Sequence, residues 1–227
     1  MLSQIPQSEL IDSGPAVERA GLAHRVRRGQ GAGPHPAVVM LHGRSGDETV
    51  MWVFARALPP GWLVVAPRAP RPDPDSGYSW LPRRPGEWPA LELFDDAVAY
   101  VWRLALALPE LYQADGRAIH LMGFSQGAAL AYAAALRHPR LVRGVAGLVG
   151  FMPPAPEAVL AVAPLRGLPV FAATGLRDEI IPLEVSRAGA DRLRAAGAQL
   201  DYREYDTGHK LDAAGMRDLA AWWRARS

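Results

Sequence analysis

The sequence predicts an α/β fold, in which a mostly parallel β-sheet carries helices on both faces. Short apolar runs with the length of buried strands alternate with helical stretches at short spacing. With 227 residues, of which 49% are hydrophobic, the chain can bury one sizeable core. Polar groups that could carry chemistry follow several of the predicted strands directly, where the functional groups of parallel sheets gather.

The predicted elements follow one another along a single domain. We expect residues 1–20 to form a flexible N-terminal extension and residues 21–227 to form the folded domain. The first 15 residues are polar and lack the basic end and apolar run of a signal peptide, so a cytoplasmic location is expected. Strands are predicted at 37–41, 62–66, 117–122, 142–149, 169–175 and 199–205, and helices from 91, at 128–136, at 183–196 and after 209.

Residues 123–127 read Gly-Phe-Ser-Gln-Gly and lie between a predicted strand and an alanine-rich helix. Strand, Gly-x-Ser-x-Gly and helix form the context of a nucleophile elbow. This turn is so sharp that its flanking residues must be small, and it lifts the Ser125 hydroxyl clear of the sheet. The alternative is a chance glycine-rich turn, because three fixed positions in five residues are common.

A serine hydroxyl needs a base to remove its proton and a carboxylate to orient that base. Asp178 lies in the turn after the 169–175 strand, and His209 lies in the turn after the 199–205 strand. The order Ser125, Asp178, His209 is the order that accompanies a nucleophile elbow. Glu179 and Asp206 are alternative carboxylates. Asp178 is favoured because it follows the turn after its strand.

The remaining histidines are weaker candidates for the base. Only His138 also follows the elbow serine, and it lies at the far end of the next helix, about 20 Å away. The others are expected at the surface, for His24 and His35, or packed in the core, for His120.

The proposed chemistry also needs N–H donors for the oxyanion of the transition state. The backbone N–H of Gln126, directly after the elbow serine, is the first candidate. The second comes from the loop after an earlier strand, here His42-Gly43 at the end of the 37–41 strand. The backbone N–H of Arg44 is therefore the expected second donor. The alternative interpretation of His42-Gly43 is an ordinary turn from strand to loop.

Four sequence blocks carry a resemblance to a known family. They are Leu41-His42-Gly43 with Gly46-Asp47, Gly-Phe-Ser-Gln-Gly-Ala-Ala-Leu at 123–130, Gly175 with Asp178 and Pro182, and Gly208-His209. Over roughly residues 37–225 the chain resembles the carboxylesterase/phospholipase family of the α/β-hydrolase superfamily. That family includes acyl-protein thioesterases and lysophospholipases. Arg44 departs from the family, which usually carries leucine there, and this puts a long-chain acyl substrate in doubt.

The resemblance implies a single-domain α/β-hydrolase that cleaves carboxylic esters through an acyl-serine intermediate, without a cofactor. An acyl thioesterase or a lysophospholipase with the same triad is the alternative among enzymes. A non-catalytic ligand-binding relative of the fold is the alternative of a different class. The complete triad argues against that relative, because a binding protein does not need all three groups.

A proline-rich segment at 67–89 interrupts the regular alternation of strands and helices. Tyr78 and Trp80 in this segment are expected to line an apolar substrate pocket, and the family carries a similar Ser-Trp pair there. The alternative is a stiff surface covering of the domain. Phe151 and Met152, which follow the 142–149 strand, are further candidates for the pocket wall.

Charge and composition limit the partners. The pI is 9.2, but the net charge is only +2 and Arg-Arg pairs do not form basic tracts, so no nucleic-acid partner is expected. The absence of cysteine excludes disulfides, thiol nucleophiles and thiolate metal sites, and we expect no metal. The longest apolar helical stretch, 128–136, is far shorter than the ~20 residues of a membrane span. A small-molecule ester is the expected substrate, and a homodimer is left open.

Overall fold

The computed structural model of the protein describes residues 8–82 and 87–226. Its centre is an eight-stranded sheet with the strand order β1-β2-β4-β3-β7-β8-β9-β10. The strands are β1 (Glu9–Ile11), β2 (His24–Arg27), β3 (His35–Leu41), β4 (Leu63–Pro67), β7 (Ala114–Phe124), β8 (Gly144–Leu148), β9 (Pro169–Gly175) and β10 (Gln199–Tyr205), while β5 (Arg71–Pro72) and β6 (Tyr78–Ser79) form a separate hairpin. Neighbouring strands from β4 to β10 are parallel, whereas β1 and β2 are antiparallel, so the predicted mostly parallel sheet is confirmed.

Helices cover both faces of this sheet, as predicted. They are α1 (Pro15–Ala20), α2 (Asp95–Tyr112), α3 (Gln126–Arg137), α4 (Glu157–Ala161), α5 (Leu183–Ala195) and α6 (Ala213–Arg224), with 3₁₀ helices at Val50–Ala57, Leu91–Phe94 and Pro139–Leu141. Residues of α1, α2, α3 and α5 belong to one hydrophobic core. The Val50–Ala57 helix and α6 pack against each other and contribute to a second core on the opposite face.

The side chains of the central strands alternate between these two cores. In β3, Val39 and Leu41 belong to the first core, while Val38 and Met40 belong to the second. Successive side chains of a strand point to opposite faces, and a parallel sheet covered on both faces buries them all. This burial explains why the central strands read as continuous apolar runs.

The N-terminal part of the chain differs from the expected flexible extension. Residues 1–7 lie outside the described residues, but β1 pairs with β2 and α1 packs against α2. The expectation is therefore wrong for residues 9–20. Strand β1 has three residues and lies at the edge of the sheet, where it is held by backbone hydrogen bonds to one neighbour. Backbone hydrogen bonds do not require apolar side chains, so no apolar run marks this strand in the sequence.

Burial corrects two of the three histidine expectations and confirms the third. His24 and His35 are buried in β2 and β3 and do not lie at the surface. The ring of His24 makes hydrogen bonds of 2.8 Å with the Leu22 carbonyl and 2.6 Å with the Tyr112 hydroxyl, so its polar atoms are satisfied inside the protein. His120 is packed in the core, as predicted.

Within the described residues, no helix has the length and apolar character needed to span a membrane.

Candidate active site

Ser125 occupies a sharp turn between β7 and α3, with φ 53° and ψ −118°. A residue with a side chain is strained in this region, typically by about 1–3 kcal/mol. The glycines on either side permit the turn. A Cβ at Gly123 would lie 2.1 Å from the Gly127 carbonyl oxygen, and a Cβ at Gly127 would lie 2.1 Å from the Leu41 carbonyl oxygen. Only glycine fits both positions, and the geometry is that of a nucleophile elbow.

Two hydrogen bonds connect Ser125, His209 and Asp178. His209 Nε2 lies 3.0 Å from Ser125 Oγ, and His209 Nδ1 lies 2.9 Å from Asp178 Oδ2. The buried Asp178 carboxylate also accepts hydrogen bonds from the backbone N–H groups of Ile180 (2.8 Å) and Ile181 (3.0 Å). A carboxylate accepts, so Nδ1 carries the proton and Nε2 is left as an acceptor facing the serine hydroxyl.

The alternative candidates lie elsewhere. The carboxylate of Asp206 pairs with Arg177 at 3.1 Å, and Glu179 is exposed. His138 caps the far end of α3, where its ring contacts Trp102. The structure therefore brings together the three residues that the sequence favoured for the triad.

The two predicted oxyanion donors border the same cleft as Ser125. Neither the Arg44 nor the Gln126 backbone N–H has a hydrogen-bond acceptor in the part of the chain that the structure describes. A Cβ built on Gly43 would lie 3.3 Å from Ser125 Cβ, so the loop before Arg44 passes close to the serine. Gln126 is the first residue of α3, where the partial positive charge of the helix favours an anion.

Trp80 forms hydrogen bonds with both segments that carry these donors. Its backbone N–H donates to Gln126 Oε1 at 2.9 Å, and its indole N–H donates to the His42 carbonyl at 2.9 Å. His42 is buried, and its ring hydrogen bonds to the Gly43 carbonyl (2.6 Å) and the Ala69 N–H (3.0 Å). Burial lowers the pKa of His42, which keeps the ring neutral so that it both donates and accepts.

The cleft beside Ser125 has a volume of about 960 Å³. Trp80 and Phe151 line it, as predicted, and Phe151 contacts the ring of Trp88 at 4.8 Å. Tyr78 and Met152 do not line it, so these two expectations are wrong. The Tyr78 ring lies against the Arg68 guanidinium at 5.0 Å, and Met152 packs against α5 beside Gly189.

A second apolar wall of the cleft was missing from the sequence prediction. It consists of side chains from the Val50–Ala57 helix, from β7, from the loop before α6 and from α6 itself, namely Val50, Met51, Val53, Phe54, Phe124, Leu211 and Met216. Part of this wall could have been predicted from the sequence, because the Val50–Ala57 segment closely follows the loop that contains Arg44. No local pattern connects that segment with α6, because the contact depends on tertiary packing.

Comparison with known proteins identifies the family. The family model described as phospholipase/carboxylesterase matches residues 108–225, slightly more than half of the chain. The chain belongs to this family. The match includes the elbow and the segments that hold Asp178 and His209.

Members and structural neighbours of the phospholipase/carboxylesterase family are similar to different extents. A rice protein (Oryza sativa subsp. japonica) named a probable inactive carboxylesterase is 34% identical over 106 residues, which are 46% of this chain and 43% of the rice protein. The matches span only 40–48% of the length of the curated relatives. The carboxylesterase structure from Mesorhizobium loti has a TM-score of 0.80 at 23% identity and covers 96% of this chain and 98% of its own. Acyl-protein thioesterase 2 from Zea mays has a TM-score of 0.67 at 22% identity, covering 89% and 97%. At these identities the structural neighbours establish the shared fold.

Proposed function

We propose that the protein is a serine hydrolase that cleaves carboxylic esters through an acyl-serine intermediate. The observation that carries the proposal is the continuous connection from Ser125 through His209 to Asp178. In this proposal Ser125 is the nucleophile, His209 is the general base and acid, and Asp178 orients His209. The backbone N–H groups of Arg44 and Gln126 stabilise the oxyanion.

The proposed reaction has two stages, acylation of Ser125 and hydrolysis of the acyl-serine. His209 Nε2 accepts the Ser125 proton while Oγ attacks the ester carbonyl carbon, and the carbonyl oxygen becomes the oxyanion. Collapse of this tetrahedral intermediate releases the alcohol, which takes the proton from His209, and leaves the acyl-serine. A water molecule, deprotonated by His209, then attacks the acyl group and releases the carboxylic acid, and the proton returns to Ser125. No step requires a cofactor.

Three alternative functions are distinguishable by experiment. A thioesterase or a lysophospholipase would use the same groups, so the choice depends on the substrate and not on the triad. A non-catalytic relative is the alternative of a different class, and one rice relative is named as inactive. The hydrogen-bonded triad and the unpaired N–H groups beside it support a catalytic protein.

The decisive test compares wild-type protein with Ser125→Ala. A fluorophosphonate probe should label the wild type and not the variant, because only an activated serine reacts. Ester hydrolysis by the variant should fall by several powers of ten, since loss of a triad member leaves only a residual rate. Near-normal hydrolysis by folded Ser125→Ala protein would refute the mechanism. A series of p-nitrophenyl esters from acetate to palmitate, with a matched thioester, would then define the substrate preference.

A further inference from the structure

Basic side chains at the cleft differ in whether they have carboxylate partners. Arg44 pairs with Asp75 at 3.4 Å, and Arg71 lies 4.0 Å from Asp96. Two further basic residues line the cleft, Arg56 and Lys210. Both are exposed, and neither forms an ion pair with any residue in the described ranges. The cleft therefore offers two cationic groups that no described carboxylate neutralises.

These two cations belong to the same wall of the cleft. Lys210 directly follows His209 and precedes α6, and α6 packs against the helix that carries Arg56. The carboxylates that line the cleft, Glu87 and Asp96, lie instead near Trp88 and Leu93 in the chain. Trp88 contacts Phe151, a residue of the first core, so this is the wall opposite to the second core, which contains Phe54. The charge of the cleft is thus asymmetric, and the positive side is the side of the imidazole.

An apolar path leads from the imidazole along this wall. The Phe124 ring lies 5.2 Å from the His209 ring, and the Phe54 ring stacks on Phe124 at 5.9 Å with an interplanar angle of 24°. Arg56 follows two residues after Phe54 on the same helix. A ligand on this wall would therefore meet aromatic carbon next to the reacting centre and positive charge at the edge.

The proposed chemistry decides which part of an ester lies there. His209 must transfer a proton to the leaving oxygen, so the alcohol part must approach His209 Nε2. The acyl part then lies against the opposite wall, which contains Trp80 and Phe151. The wall with the two unpaired cations is accordingly the wall for the alcohol.

We propose that the enzyme prefers esters whose alcohol part carries an apolar segment ending in an anionic group, a carboxylate or a phosphate, which Arg56 and Lys210 bind. The inference rests on the proposed esterase function and names a substrate class for it. Lys210 is the only lysine in the chain. The ammonium of a lysine is a point charge on a flexible side chain, so it can move with an anion that changes position during the reaction. The planar guanidinium of an arginine binds an anion in a more fixed orientation.

A matched pair of fluorogenic esters tests the proposal. The butyryl ester of 7-hydroxycoumarin-4-acetic acid has a free carboxylate on its leaving alcohol, and its methyl ester is the neutral control. The ratio of their kcat/KM values should favour the free carboxylate by about tenfold at low ionic strength. This preference should shrink several-fold in 0.5 M NaCl, because salt screens exposed charges. A phosphonate analogue of the same coumarin distinguishes the two kinds of anion.

Variants assign the preference to the two residues. Arg56→Gln combined with Lys210→Gln should reduce the ratio to about 1, whereas Arg56→Lys, which keeps both positive charges and leaves Lys210 unchanged, should preserve most of it. Arg71→Gln, on the opposite wall, is the matched control and should keep the wild-type ratio. A second substrate pair places the carboxylate in the acyl part, as mono-4-nitrophenyl esters of a dicarboxylic acid with a free or methylated end, and should show no preference.

Three results would overturn the proposal: a wild-type ratio of 1 or less for both the carboxylate and the phosphonate, an unchanged ratio in the double glutamine variant, or a preference confined to the acyl-side pair. Failure of the esterase function itself would be recognised separately. In that case no ester would be hydrolysed and the fluorophosphonate probe would not label Ser125, which would refute both proposals. Hydrolysis of the neutral esters without an anion preference would refute the substrate class alone.

Discussion

At the scale of single residues, Ser125 combines the proposed nucleophile with a strained backbone. Its φ of 53° is a conformation that glycine adopts without a steric penalty. Ser125→Gly should therefore be more stable than Ser125→Ala by about 1 kcal/mol, after the larger entropy of an unfolded glycine is subtracted. Urea unfolding of the two variants measures this difference, and both are expected to lack activity. A Ser125→Gly variant that is less stable than Ser125→Ala by about 0.5–1 kcal/mol, the entropy cost of glycine alone, would show that the backbone at Ser125 stores no strain.

Single residues also show where sequence reasoning about the site succeeds. Ser125, Asp178 and His209 each follow a strand of a parallel sheet, so their positions in the chain were enough to predict that they meet. Tyr78 is predicted in the pocket from its place in the proline-rich segment, and Met152 because it follows the 142–149 strand. The direction of a side chain in an irregular segment depends on its tertiary partners, here Arg68 for Tyr78 and α5 for Met152.

At the scale of elements, Gln126 has two separable roles, because its side chain connects α3 to the Trp80 segment while its backbone faces the cleft. Its side-chain oxygen accepts the Trp80 N–H, and its backbone N–H is the proposed oxyanion donor. Gln126→Ala keeps the donor but leaves the buried Trp80 N–H unpaired. It should lose about 1–3 kcal/mol of stability and at most about tenfold in kcat. Thermal unfolding and steady-state kinetics measure both effects.

Gln126→Pro isolates the second role, because it lacks both the side-chain oxygen and the N–H. Proline is accepted at the first residue of a helix, so α3 should still form. The kcat should fall by about 10² to 10³ relative to Gln126→Ala, the cost of one lost oxyanion donor. Proline also restricts Ser125, so the comparison holds when both variants unfold at similar temperatures. Equal turnover by the two folded variants would exclude the Gln126 N–H as a donor.

The elements themselves divide into predictable and unpredictable groups for a physical reason. Strands β3, β4, β7, β8 and β9 are central, and burial of their side chains on both faces produces apolar runs that the sequence shows directly. Strand β10 lies at the edge of the sheet, and most of its side chains are half-buried or exposed. Strand β2, with the sequence His-Arg-Val-Arg, alternates between buried and half-buried side chains and has no such run. The two-residue strands of the β5–β6 hairpin are too short to carry a period.

At the scale of the whole molecule, buried histidines link stability to pH. His120 packs between the rings of Trp62 and Trp223, and burial, aided by Arg226 and Arg143, lowers its pKa to about 4. Between pH 6.5 and 4 the unfolded chain therefore binds a proton that the folded protein does not. Stability from this residue is complete above pH 6.5 and is lost as the pH falls to 4, by about 3 kcal/mol in total.

This pH dependence is measured by urea unfolding at pH 7.0, 5.5 and 4.5. Burial lowers the pKa of His24 and His42 in the same way, so the wild type alone does not isolate one residue. His120→Leu has a similar volume and no titratable group, and its stability should fall less between pH 7.0 and 4.5 than that of the wild type. Parallel curves for the two proteins would contradict the assignment.

The position of Trp88 has a practical consequence for the whole protein. Six of the seven tryptophans are buried, with exposed fractions of 6% or less, whereas Trp88 at the cleft is 39% exposed. The long-wavelength edge of the intrinsic fluorescence therefore comes from the Trp88 indole. A compound that fills the cleft would displace water from this indole and shift its emission to shorter wavelength. Ser125→Ala should bind an ester without hydrolysing it. The emission shift of this variant would therefore report how much of the cleft is occupied as the ester is added.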